Sequence, residues 1–218
     1  MREFLILKLH GPMQAWGGHT FEGIRPSANF PTRSGLLGLL GACLGIRRHE
    51  STRLQQLADG IRIAVRQDDI ENRPIVKVTD YHTVKDARAQ YAGLKSHETI
   101  QTWREYLYDA QFTAAFWMLP TASFTLNDIE AAVRKPSFTP YLGRRSCPLS
   151  RPLFEQRVEA ATPQAALSMI APHAGTIYSE EGDESMRKSN MRDVPLYYQS
   201  RLFAERDWYV SGGSYVSE

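Results

Sequence analysis

Residues 31–45 read PTRSGLLGLLGACLG, and the kind of fold this chain can adopt turns on that segment. Leu36, Leu37, Leu40, Cys43 and Leu44 recur at helical spacing along one side, while Gly35, Gly38, Gly41 and Gly45 gather on another. Thr32 or Ser34 supplies an N-cap, Gly45 a C-terminal cap, and Arg47 and Arg48 follow where cations suit the helix dipole. The interior glycines Gly38 and Gly41 each give up about 0.8 to 1 kcal/mol of helix propensity against alanine. Something therefore comes close to that side: a sheet beneath the helix, a partner chain, or a phosphate backbone near the helix N-terminus. Close packing on a sheet is the simplest of these accounts. The run is no P-loop, because no Gly-Lys-Ser/Thr follows the glycines, and G-x-G-x-x-G is absent too.

Outward from the helix, REFLILKLHG (2–11) alternates and reads as a strand, followed by a Gly- and Pro-rich loop up to residue 31. IRIAVRQDD (61–69) and PIVKVTDYH (74–82) are β-rich runs around a short polar link, the pattern of a hairpin. Residues 83–109 are polar and of mixed charge, with no core-forming stripe, and read as an insertion. AQFTAAFWMLP (110–120) resumes as a strand. LNDIEAAVRK (126–135) has helical periodicity, with Leu126, Ile129 and Val133 on one side. The resulting order β-α-β-β-(insertion)-β-α is most of a ferredoxin-like fold, the α+β framework also used by RNA-recognition motifs. A loop from 136 to 154, a short helix in PQAALSMIA and strands in GTIYS, VPLYYQS and DWYVSG complete the chain as a β-rich C-terminal extension.

The 218 residues carry a net charge of only +2, but unevenly. Residues 1–48 hold six Lys/Arg against two Asp/Glu, and residues 131–154 hold five against none, in an otherwise acidic chain. Brought together by folding, these two segments make a local anion-binding surface. Two cysteines, Cys43 and Cys147, are too few for a disulfide scaffold and lack metal-ligand spacing, so no metal and no cofactor is expected. No apolar run reaches the ~18 residues of a membrane span and the N-terminus lacks a cleavage site; the expectation is a cytoplasmic protein without membrane contact.

The loop TPYLGRRSCPL joins Tyr141, Gly143, Arg144 and Arg145 without a nearby acid, the combination that grips phosphate and stacks an unpaired base. Gln14, Trp16 and Arg25 lie in the first loop, Trp16 being more commonly a core anchor than a stacking platform. Arg33 and Ser34 stand at the helix start, where a cation beside free backbone N–H groups reinforces an anion site. Tyr91, Lys95 and His97 in the insertion are the residue types needed for metal-free RNA cleavage, a base, an acid and a cation. Simple phosphate contact by Lys95 and Arg104 is the more economical reading.

GPMQAWG, FPTRSGLLGLLGACLGI, DYHTV, GLKSHETIQTWREYL, TPYLGRRSCPL and the late DWYV, in that order, resemble the Cas-five family of CRISPR Cascade subunits in its subtype I-E form. The resemblance covers most of residues 1–154 and returns near 206–210. It implies a ferredoxin-like palm (1–78 and 112–218) with an inserted thumb (79–111). It also implies a non-catalytic subunit that holds the 5′ handle of the CRISPR RNA, caps a filament of Cas-seven subunits, adjoins the large PAM-reading subunit and meets target DNA only through the complex. By the same resemblance Arg104 sits on the thumb at the kinked nucleotide beside the handle, Tyr141, Arg144 and Arg145 grip the handle on the palm, and the bare glycine side of the first helix, Gly38 with Arg33 and Ser34, admits its backbone. Relatives of another subtype cut the CRISPR precursor with a tyrosine, a lysine and a histidine. That keeps a metal-independent endoribonuclease as the alternative, through Lys95 and His97.

Overall fold

The computed structural model describes residues 1–18, 20, 23–71, 74–85, 99–199 and 202–212. The chain runs β1 (Arg2–His10), β2 (Met13–Gln14), β3 (Trp16–Gly17), β4 (Ile24–Arg25), β5 (Ser27–Ala28), α1 (Arg33–Cys43), α2 (Ser51–Gly60) and β6 (Ile61–Asp68). It continues through β7 (Val76–Lys85), β8 (Thr99–Tyr108), β9 (Gln111–Met118), α3 (Leu126–Arg134), β10 (Phe154–Ala160), α4 (Pro163–Ser168), β11 (Gly175–Ser179), β12 (Arg187–Pro195) and β13 (Phe203–Ser211).

Among the described residues the main sheet has seven strands in the order β10-β1-β9-β6-β11-β13-β12. β1 lies antiparallel between β9 and β10, and β6 between β9 and β11. Central strands bury both faces, and alternation on β1 sorts its side chains into two cores. Leu5, Leu7 and Leu9 meet α1, α2 and α3, whereas Phe4 and Ile6 meet α4 and the inner face of β10. Truncating any one of these fully buried leucines to alanine costs about 2 to 5 kcal/mol.

The side of α1 that bears glycines faces three different surroundings, two of them occupied. A Cβ on Gly35 would stand 2.8 Å from the Trp16 ring, and one on Gly41 would stand 3.3 Å from Leu54 of α2; one on Gly38 meets nothing within 4 Å. Thr32 caps the helix by accepting from the Gly35 N–H. A carboxylate also sits at this end: the Arg33 N–H donates to Asp193 Oδ2 at 2.6 Å.

Several elements differ from the sequence expectation. β6 and β7 form no hairpin, because nearly every side chain of β6 is buried and it takes β9 and β11 as partners. β7 pairs instead with β8 along Val76–Lys85, in a four-stranded sheet apart from the main one, with β2 and β4 on the other edge of β8. The stretch read as a polar insertion thus contains β8, with Tyr106 and Leu107 buried. α2 carries only Leu54, Leu57 and Ala58 inward and has no side-chain cap, too weak a pattern to register. β10 reads as charged, yet its alternation puts Val158 and Ala160 inside. β12 ends at Pro195, so most of VPLYYQS lies beyond the strand.

Candidate nucleic-acid interface at the joint of the two sheets

The loop after α3 docks on the first loop of the chain through backbone. The Ala15 N–H donates to the Leu142 carbonyl at 3.1 Å, and Leu142 N–H and Cys147 N–H close the turn on Cys147 O and Arg144 O. Gly143 has φ +84°, and a Cβ there would collide with the Ala15 carbonyl, so this position demands glycine. Gln14 and Trp16 are wholly buried. The Gln14 amide donates to the carbonyls of Leu9 and Ala110 and accepts from Trp16 Nε1 at 2.9 Å. Both therefore support the loop and neither is open to a ligand, which removes them from the set of contact residues.

The turn presents Arg144 to the second sheet. Its Nη2 donates to the Arg25 carbonyl at 3.0 Å, and its guanidinium stands 5.1 Å from the centroid of the buried Tyr106 ring. Its Nη1 is buried and has no hydrogen-bond partner among the described residues. Arg25 on β4 is in register with Arg104 on β8, so the two project from the same face, where Arg104 Nε donates to Thr102 Oγ1 at 3.0 Å. Arg145 and Tyr141 stand exposed on the adjoining loop. Three arginines from three distant segments thus converge, with a fourth alongside. The unsatisfied Arg144 donor calls for an acceptor that the described residues do not provide.

Among the described residues, the acids near this cluster are engaged. The carboxylate of Asp80, the register partner of Arg104, lies 2.8 Å from His82 Nε2, and the same Nε2 lies 3.4 Å from Tyr106 Oη. Glu105 points to the opposite face, where it takes the Ser27 N–H and pairs with Lys77. Sequence reasoning gave no role to Asp80 or Tyr106. The alternation in TWREYL that puts Tyr106 on the Arg104 face was the available signal.

Arg33 is a correction. It is buried, its guanidinium pairing with Glu180 and donating to the carbonyls of Ala58 and Ile61. Arg206 binds Glu180 and, through two nitrogens, Asp193. The helix N-terminus expected to take an external anion is filled by a carboxylate of the chain itself. Ser34 is half-buried beside Thr32, and Gly38 is exposed. Tyr91, Lys95 and His97 lie outside the described residues. Burial pushes the Cys43 thiol up to about 11 and that of Cys147 upward, so neither is a thiolate nucleophile at neutral pH. Among the described residues, no three His, Cys, Asp or Glu gather as metal ligands, and no helix is long and apolar enough to cross a membrane.

Residues 4–209 match the family model described as CRISPR-associated protein (Cas5). The chain belongs to the Cas5 family. It is 54% identical over 224 residues to the CRISPR system Cascade subunit CasD of Escherichia coli (strain K12), covering all of both chains. The Cas5 likeness therefore runs through residues 155–205, beyond the motifs quoted above. Among solved structures, it is similar to a chain of a CRISPR RNA-guided surveillance complex, with TM-score 0.71 and 28% identity over 95% of this chain and 88% of that one. A Cas protein crystal structure matches with TM-score 0.65 and 26% identity, over 95% and 93% of the two chains.

Proposed function

We propose that this Cas5 protein is a non-catalytic RNA-binding subunit of a subtype I-E Cascade complex, holding the 5′ handle of the CRISPR RNA. The observation that carries the reading is the convergence of Arg25, Arg104 and Arg144 at the joint of the two sheets, with one buried Arg144 donor unpaired. Arginine beside an exposed tyrosine suits a single strand, the guanidinium taking phosphate and the ring taking a splayed base. The full-length identity to a Cascade subunit supports placement in such a complex.

The strand order β10-β1-β9-β6, with α1 between β1 and β6 and α3 between β9 and β10, supports a ferredoxin-like palm. On this reading β7 and β8 are the base of the thumb, β11, β12 and β13 are the C-terminal extension, Arg104 is the thumb contact, and Tyr141, Arg144 and Arg145 are the palm contacts. Lys95 and His97, from the same insertion, are further proposed RNA contacts. Exposed Gly38 leaves α1 open to the handle or to a neighbouring subunit. In the complex the chain caps the Cas-seven filament beside the large PAM-reading subunit and meets target DNA only through them.

The test is to express a tagged copy with its neighbouring genes and a CRISPR array and to sequence the RNA that copurifies. Wild type recovers RNAs sharing one repeat-derived 5′ end. An Arg144→Ala, Arg145→Ala double variant loses them, and its RNA affinity falls less steeply with salt by about two phosphate contacts. Purified chain leaves repeat RNA intact in EDTA. Cleavage there, abolished by His97→Ala, makes the protein a metal-independent endoribonuclease instead.

A further inference from the structure

The arginine face contains an acid that ought to defeat it. Asp80 and Arg104 are direct register partners on antiparallel β7 and β8, so their side chains share a face with Cβ atoms about 4.5 to 5.5 Å apart. An arginine and an aspartate so placed form an ion pair by default. Here they do not: the Asp80 carboxylate turns along its own strand to His82 Nε2, at 2.8 Å. Arg104 turns the other way, to Thr102 Oγ1, two residues back on β8. Among the described residues this hydroxyl is the one polar partner of its guanidinium.

His82 is itself fixed in place. Its ring lies 6.2 Å from that of Tyr106, and Tyr106 Oη stands 3.4 Å from the same Nε2 that reaches Asp80. Tyr106 is buried, and the Arg144 guanidinium lies over its ring, 5.1 Å from the centroid. One tyrosine thus anchors both the histidine that takes up the acid and the arginine with the unpaired donor.

We infer that His82 is a positioning residue for RNA binding: it holds the Asp80 carboxylate away from Arg104 and so keeps the Arg104 guanidinium available to a phosphate of a single-stranded RNA. The inference rests on the proposed function, specifically on Arg104 as an RNA contact. With His82 truncated, Asp80 is free to swing across the ladder onto Arg104, and the RNA must then compete with an internal carboxylate. An exposed ion pair of this kind weakens binding by about 1.5-fold to fivefold.

The experiment uses the full-length chain and a fluorescent single-stranded RNA carrying the repeat-derived 5′ end, with binding measured at two salt concentrations. His82→Ala is expected to weaken binding about 1.5-fold to fivefold and His82→Gln, which can still donate to Asp80, to restore most of it. Asp80→Asn placed on His82→Ala is expected to restore binding fully, because the amide no longer competes for the guanidinium. His82→Ala on Arg104→Ala is expected to add nothing, the signature of two residues acting through one contact. If Arg104→Ala weakens binding and His82→Ala does not, the inference is overturned while the RNA-binding reading stands. Failure of Asp80→Asn to rescue also overturns it and leaves His82 a merely structural residue. If Arg104→Ala itself has no effect, the proposed Arg104 contact falls and takes the inference with it.

Discussion

Three alanine substitutions on one helix separate propensity from packing. Gly35, Gly38 and Gly41 of α1 have different surroundings: the Trp16 ring 2.8 Å from a Cβ at 35, open space at 38, and the flexible end of Leu54 at 3.3 Å for 41. Replacing a helical glycine by alanine gains about 0.8 to 1 kcal/mol wherever the methyl fits. Gly38→Ala receives that gain whole. In a chain of 218 residues it corresponds to a rise in Tm of about 2 to 4 °C. Gly35→Ala instead drives a methyl into a wholly buried indole, and overpacking of this kind costs about 1 to 3 kcal/mol, so it turns the same gain into a net loss of up to about 2 kcal/mol. Gly41→Ala falls between the two, because the Leu54 methyl can give by a few tenths of an ångström. Thermal and urea unfolding of the isolated chain measure all three. Equal shifts, or a Gly38→Ala protein no more stable than wild type, refute the reasoning.

Two further outcomes follow from buried charge. Arg206 makes three hydrogen bonds to Glu180 and Asp193, all three residues nearly inaccessible, and Arg206→Met is expected to cost about 3 to 5 kcal/mol by leaving excess carboxylate buried; a change below about 1 kcal/mol in urea unfolding contradicts this. The pKa of His10 is held below its ordinary 6.5, chiefly by burial and then by the Lys8 ammonium. Its stabilising effect is therefore complete above pH 6.5 and is lost as pH falls through the depressed folded value, so His10→Gln is expected to blunt acid unfolding just below pH 6.5, and parallel stability–pH curves for the two proteins refute it.

How much the sequence disclosed varied with how local the cause was. α1, α3 and α4 carry their own caps and apolar stripes, and β1, β9, β11 and β13 their own β-rich runs, so these were legible. Strand partners were not. The pairing of β7 with β8 rather than β6 depends on β6 being claimed from both sides by strands far along the chain. Arg144 and Arg104 were recognisable by residue type, and their convergence with Arg25 is a product of three separate pairings. Arg33 misled because a cation at a helix start looks the same whether its partner is a ligand or, as here, carboxylates nearly 150 residues or more away: Glu180 and Asp193.

That last pairing sets an order of events during biosynthesis. The first helix is among the earliest segments to leave the ribosome, yet the carboxylates that neutralise Arg33 and cap its N–H belong to residues 180 and 193. β1 likewise waits for β9 and β10 to be translated before either of its edges is paired. A nascent chain is thus left with an open edge of β1 until β10 emerges, and with an uncompensated Arg33 guanidinium for longer still, until Glu180 and Asp193 follow. Such a chain reaches its native state after release, slowly and with a large share of non-local pairing.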